Sequence, residues 1–247
     1  MAVALVPAYL LHRRPYRESS WLLEAFSRDH GRVGLIARGV GRPGSPRRGL
    51  LQPFLPLLLS WSGRGELATL TAIESESRPR ALSPARLLSG LYLNELLLRL
   101  LVRQDPHPGL FEAYRQALAG LADAADEEAV LRRFELRLLA ELGYALTLTH
   151  ELRSGRPLRP QQHYRYHPET GATPVTGAGE GIIISGHSLL ALSRDELHEP
   201  SVRRDAKRLL RGALNLRLER PLHSRRLLAA LRRRFTAESE EPRDEAN

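Results

Sequence analysis

Over the first 80 residues, apolar positions come in short, partly alternating runs at 2–11, 21–26, 32–37, 54–60 and 67–73. Turn-forming stretches separate them: His30-Gly31, the segment from Gly39 to Gly49, and Gly63-Arg64-Gly65. Alternation bounded by Gly and Pro marks strands with one face in a core and one in water. Five such strands in so short a stretch predict a small barrel. The five-stranded OB-fold is the commonest solution of that size, and an SH3-like barrel would read much the same.

From Ser83 the period lengthens to that of a helix. Ser83-Pro84 supplies an N-cap and a proline at the first helical position, where a missing N–H costs nothing. Leu87, Leu88, Leu91, Leu98 and Leu101 follow at helical spacing. A second helix is predicted over 108–121, with Leu110, Phe111, Tyr114, Ala117, Leu118 and Leu121 on one stripe. A third opens at Asp126, carries Glu127 and Glu128 near its positive end, and stops at Gly143. Residues 150–185 are rich in Pro and Gly and leave room only for short strands and turns. Helical pattern resumes at 187–192. Ser201 is then expected to cap a helix through Leu218, and Ser224 another reaching Phe235. The predicted architecture is α+β: a barrel over 1–80 and a helical domain over 81–235 with the 150–185 insertion. An acidic, apolar-poor tail at 236–247 reads as disordered.

Composition sharpens this picture. Aromatics make up 6% of the chain, so Leu and Ala must fill the helical core. No apolar run reaches the roughly 18 residues of a membrane span. The N-terminus lacks the basic region and cleavage site of a secretory signal, so the expected compartment is the cytoplasm. The chain has no cysteine, which excludes disulfides and thiolate catalysis and removes the usual ligands of structural zinc.

The net charge is +9, and Lys207 is the only lysine. Residues 1–80 and 201–247 each carry a net +6, while 81–150 and 151–200 carry −2 and −1. Positive charge concentrated at the two ends of a chain points to a polyanionic partner. The expectation is that folding brings both ends onto one outer surface.

Four constellations could carry chemistry. Arg38, Arg42, Arg47 and Arg48 lie in the Gly/Pro-rich segment 37–49, where a pliant loop can wrap a phosphate backbone with guanidinium forks; the competing reading is a solvated loop. Arg13 and Arg14 add to this N-terminal group. The spacing of Gly39, Gly41 and Gly44 is G-x-G-x-x-G, but no helix and no βαβ context follows, so it is not a dinucleotide fingerprint. The second constellation is a basic ridge of Arg203, Arg204, Lys207, Arg208 and Arg211, continued by Arg225, Arg226 and Arg232 to Arg234. A membrane-surface helix competes there but lacks aromatic anchors other than Phe235. Third, His150, His163 and His167 are close in sequence but lack a fourth ligand, so no metal and no cofactor is expected. Last, no G-x-S-x-G, Walker A or H-E-x-x-H motif is present, and no carboxylate pair stands out, so no reaction is proposed.

Ordered fragments then resemble a known family. They include Tyr16-Arg17-Glu18-Ser19-Ser20, Ala37-Arg38-Gly39, Leu51-Gln52-Pro53-Phe54 and Gly63-Arg64-Gly65-Glu66-Leu67. Further along come Gly90-Leu91-Tyr92-Leu93-Asn94-Glu95-Leu96, Leu131-Arg132-Arg133-Phe134-Glu135-Leu136, Gly143-Tyr144 and Pro221-Leu222-His223-Ser224-Arg225. Over about 230 residues the chain resembles the RecO family of recombinational repair mediators. The resemblance implies an OB-fold followed by a helical domain, with residues 150–180 in the place of a zinc module. Many relatives carry two Cys-x-x-Cys pairs there; this chain has Glu151 and Ser154 at the first pair. It implies binding of single- and double-stranded DNA, annealing of complementary strands, and loading of RecA, with RecR, onto DNA coated by single-strand-binding protein. A location with the nucleoid follows. It also implies capture of that protein's acidic C-terminal tail, which is expected on the helical domain. Leu131, Arg132, Arg133 and Lys207 are the candidates; Arg132 and Arg133 lie about 100° apart on a helix, so only one of the two can face the site, and Arg132 is the expected one. Barrel and charge alone would equally allow an RNA- or ribosome-binding protein.

Overall fold

A computed structural model describes residues 2–63, 65–77, 81–123, 125–227 and 230. The N-terminal part contains β1 (Ala2–Tyr16), β2 (Ser20–Ser27), β3 (Gly31–Ala37), β4 (Pro56–Ser62) and β5 (Leu67–Ser75), with the short helix α1 (Pro46–Leu50) between β3 and β4. The strands close into a barrel in the order β1-β2-β3-β5-β4. β3 and β5 run parallel and the other pairs antiparallel. This is the OB-fold, and it decides against the SH3-like alternative. All five expected strands are present; β1 runs five residues further than its alternation suggested, and α1 was not anticipated.

Alternation along β1 does two jobs. Ala8 and Leu10 point into the barrel beside Leu23, Leu35, Leu57 and Leu59, while Tyr9 and Leu11 point outward into the core of the helical domain. Phe26 does the same from β2. Tyr9 meets Phe111 with ring centroids 5.4 Å apart and Tyr114 edge-on at 5.1 Å. Each such pair adds about 0.5–1.5 kcal/mol beyond area burial. Burial, helped by the Glu76 charge, pushes the Tyr9 hydroxyl up to about 12.

The rest of the chain forms α2 (Pro84–Leu100), α3 (Pro108–Ala122), α4 (Glu127–Glu141), β6 (His163–His167), β7 (Gly171–Pro174), β8 (Ile182–Ser185), α5 (Gly186–Ser193) and α6 (Pro200–Asn215). α2, α3 and α4 surround one core, and α6 adds Leu210, Ala213 and Leu214 to it. The insertion forms a small sheet, β7-β6-β8. Its Tyr164, Tyr166, Ala172 and Ile184 share a second core with α5 and α6. No helix among the described residues is long and apolar enough to cross a membrane.

Helix starts follow capping rules with two corrections. Asp126 accepts from the Ala129 N–H at 3.2 Å, as expected. The N-cap of α6 is Glu199, not Ser201, because Pro200 takes the first helical position. Residues 223–227 are helical, so Ser224 lies inside that helix. Its cap comes from α2: the Glu95 carboxylate accepts from the N–H groups of His223 and Ser224, both at 2.8 Å, and from the Ser224 hydroxyl at 2.7 Å. A cap supplied from 129 residues away leaves no local signature. The expected continuation to Phe235, including Arg232 to Arg234, and the tail at 236–247 lie outside the described residues.

Polar contacts fix the barrel against the helices. Asn94, buried in α2, donates to the Leu11 carbonyl at 2.9 Å and accepts from the Tyr114 hydroxyl at 2.5 Å. Arg32 donates to the carbonyls of Leu98 and Leu101, at 2.5 and 3.0 Å. Gly31 has φ +65°, and any side chain there would run into the backbone of Asp105. Only glycine permits that approach.

Candidate nucleic-acid interface

One end of the barrel gathers most of its cations. The β1–β2 turn, the end of β3 and the segment through α1 lie together, since Trp21 pairs with both Pro15 and Ala37. The Gly41 N–H donates to the Ser19 carbonyl at 2.9 Å and ties the arginine-rich loop to the turn. Arg13, Arg14, Arg17, Arg38, Arg42, Arg47 and Arg48 are all exposed here, with Glu18 as the one acid among them. None of the seven makes an ion pair among the described residues. Arg13 donates to the Leu51 carbonyl at 2.5 Å. The basic residues at the opposite end behave differently: Arg28 pairs with Asp29 at 3.0 Å, and on the barrel wall Arg32 and Arg103 share Glu24.

The C-terminal cations divide. Arg203 is bound to Asp126 at 2.7 Å and to the carbonyls of Leu197 and His198. Lys207 pairs with Glu128, and Arg208 reaches Asp205 at 3.5 Å. Arg204, Arg211 and Arg226 are exposed and outside any ion pair among the described residues. Arg225 donates to Asn215 at 2.8 Å and to the Tyr92 hydroxyl at 3.1 Å. No hydrogen bond, ion pair or ring contact among the described residues joins α6 to the arginine end of the barrel. The C-terminal group is therefore partly neutralised from within, whereas the barrel-end group has no ion pair among the described residues.

The helical domain has a pocket of about 520 Å³ between α2, α4, α6 and the helix beginning at 223. Ala85, Leu88, Tyr92 and Leu131 give it apolar walls; Arg132, Lys207, Arg211 and Arg225 supply cations, with Glu127 and Glu128 also lining it. Arg132 is 5% exposed and bound at 2.9 Å to Glu135, which is wholly buried. The Tyr92 hydroxyl donates to the same carboxylate at 2.5 Å. Burial pushes the Glu135 carboxyl up, against the pull of Arg132, the Tyr92 hydrogen bond, Arg225 and Lys207. Arg132 is thus largely committed inward, and Arg211 and Arg225 are the pocket cations without a carboxylate partner among the described residues. Arg133 faces away from the pocket and pairs with Asp195 at 2.7 Å. Of the residues the sequence singled out, Leu131, Arg132 and Lys207 line this one pocket. The sequence missed Leu88, Tyr92, Arg211 and Arg225 as pocket residues, because their approach is set by helix packing and no local spacing encodes it.

In the insertion, Glu151 and Ser154 are joined by a 2.5 Å hydrogen bond, with Ser154 also accepting from the Arg156 N–H. Arg165 holds the carbonyls of Gly177 and Gly179, and His167 Nε2 lies 2.5 Å from the Glu180 carbonyl oxygen. These side chains fasten the 175–181 loop across the sheet. No group of three His, Asp or Glu among the described residues is placed to hold a metal ion.

The fold defines a class first: proteins that join a closed OB barrel to a helical domain with a small sheet inserted in it. Residues 1–78 match the family described as Recombination protein O N terminal, and residues 82–226 the one described as Recombination protein O C terminal. Proteins named DNA repair protein RecO are similar throughout. The Alkalilimnicola ehrlichii protein is 51% identical over 236 residues, covering 94% of this chain and 93% of its own. The Nitrosococcus oceani protein is 48% identical over 235 residues, with 94% and 96% covered. The Nitrosospira multiformis protein is 44% identical over 227 residues, with 90% and 93% covered. The chain belongs to the RecO family.

Proposed function

We propose that this chain is a DNA-repair and recombination mediator that acts by binding and not by bond chemistry. It binds single- and double-stranded DNA, anneals complementary strands, and works with RecR to load RecA onto DNA coated by single-strand-binding protein. The observation that carries the reading is the barrel end with seven exposed arginines and no carboxylate partner for any of them among the described residues. Guanidiniums left unpaired at one end of a barrel are available to phosphates, and neutralising two backbones is what annealing requires. Arg204, Arg211 and Arg226 form a second, smaller contact on the helical domain. The acidic tail of single-strand-binding protein fits the pocket of Leu88, Tyr92 and Leu131, with Arg211 and Arg225 facing its carboxylates.

The test is annealing of complementary oligonucleotides pre-coated with single-strand-binding protein, with and without that protein's acidic tail. Annealing on the tailed form and its loss on the tail-less form support the reading. Equal, slow annealing on both would remove the tail pocket from it. Tighter binding to RNA than to single-stranded DNA, with no annealing, would favour the RNA-binding alternative.

A further inference from the structure

The arginine end of the barrel also holds an aromatic group that phosphate binding does not require. The chain has two tryptophans. Trp61 is sealed in the barrel core at 7% exposure, whereas Trp21 sits half-buried at the core's edge. The guanidinium carbon of Arg13 lies 4.7 Å from the Trp21 ring centroid and that of Arg48 lies 5.6 Å away. Next to it, Arg17 stands 5.2 Å from the ring of the half-buried Tyr16. Trp21 packs against the edge of this core, beside the buried Ala37, Val40 and Leu51, without being sealed into it. What remains is a partly open indole with two cations against it and, among the described residues, no carboxylate paired with either.

We propose that Trp21, with the guanidiniums of Arg13 and Arg48, is a stacking site for an unpaired base of single-stranded DNA, and that it makes the barrel prefer single strands to duplex. This rests on the nucleic-acid reading given above and goes beyond it. An unpaired nucleotide offers a flat π-face beside a phosphate, matching an indole beside a guanidinium. In a duplex the base faces are stacked on one another, so only the backbone meets the arginines. Backbone contacts alone would bind both forms; the ring is what separates them. Removing one aromatic stacking partner should weaken single-strand binding by about five- to a hundredfold.

The test compares the full chain with Trp21→Phe and Trp21→Ala, each titrated at one ionic strength with oligo(dT) and with a duplex of equal length. In the wild type, oligo(dT) should quench tryptophan emission and duplex should not. In Trp21→Phe, where Trp61 is the sole tryptophan, the quench should vanish while most of the single-strand affinity stays. In Trp21→Ala the ratio of single-strand to duplex affinity should fall about tenfold. Trp21→Phe keeps an aromatic ring in the barrel and so guards against misfolding as an explanation. Normal DNA binding with no Trp21 quench, or an unchanged affinity ratio in Trp21→Ala, would overturn the stacking site and leave the arginine surface standing. Failure of the wild type to bind either DNA would overturn both.

Discussion

Replacing Arg132 with Met strands the carboxylate beneath the helical pocket, and the cost can be worked from the geometry. Glu135 is fully buried; Arg132 lies 2.9 Å from one oxygen, and the other oxygen has no partner among the described residues. Removing one member of a buried pair leaves an uncompensated charge and costs about 3–5 kcal/mol. For a chain of this size each kcal/mol lowers Tm by about 2–4 °C, so the loss should be roughly 6–20 °C near neutral pH. The pH dependence fixes the cause. Glu135 already has a raised carboxyl pKa from burial, so its contribution to stability is greatest below the unfolded carboxylate value and declines as pH rises through the folded one. Without Arg132 the carboxyl is pushed higher still and folds protonated in mild acid. The deficit in Arg132→Met should therefore shrink between about pH 7.5 and about pH 5.5. The double variant Arg132→Met/Glu135→Leu should recover most of it, since an apolar pair of similar volume replaces the charges. Scanning calorimetry of the three proteins at both pH values is the assay. A Tm change within 2 °C, or an equal deficit at both pH values, would refute the reasoning.

Other outcomes follow from single contacts. Arg47→Ala/Arg48→Ala should weaken binding to single strands and lower the slope of log affinity against log salt by about 1.4, at ~0.7 per phosphate lost; filter binding over a salt series reads it. Gly31→Ala should cost at least about 2 kcal/mol, because it combines a left-handed backbone with a clash against Asp105, and a denaturant midpoint measures it. Glu95→Ala should lose a cap worth about 1–2 kcal/mol locally, seen as faster amide exchange at residues 223–227 with α2 unchanged. Burial raises the Glu95 carboxyl, but hydrogen bonds from Ser224 and His223 outweigh it and hold the group below its ordinary value. That cap is present above the unfolded carboxylate pKa and is lost as pH falls through the folded one, so the segment should loosen first in acid.

Hydrophobic period and turn residues were enough to read the five strands, the helices α2 to α5 and the Pro/Gly-rich insertion, because each is specified by neighbours within one or two turns. Charge counting found the arginines of the loop at 37–49 for the same reason. Period and composition could not choose between OB and SH3-like barrels; that depended on the parallel pairing of β3 with β5, a contact across more than 30 residues. Nor could a count of basic residues tell free guanidiniums from neutralised ones. Arg203 and Lys207 look as available as Arg47 and Arg48 along the chain, yet packing of α6 against α4 places Asp126 and Glu128 beside them. The Glu95 cap, the Arg132–Glu135 pair with Tyr92 on the same carboxylate, and the Trp21 indole near Arg13 and Arg48 share that origin. Local sequence sets which side chains an element carries, but the partners that spend or spare their charge come from elements far away in the chain, and only the folded arrangement decides them.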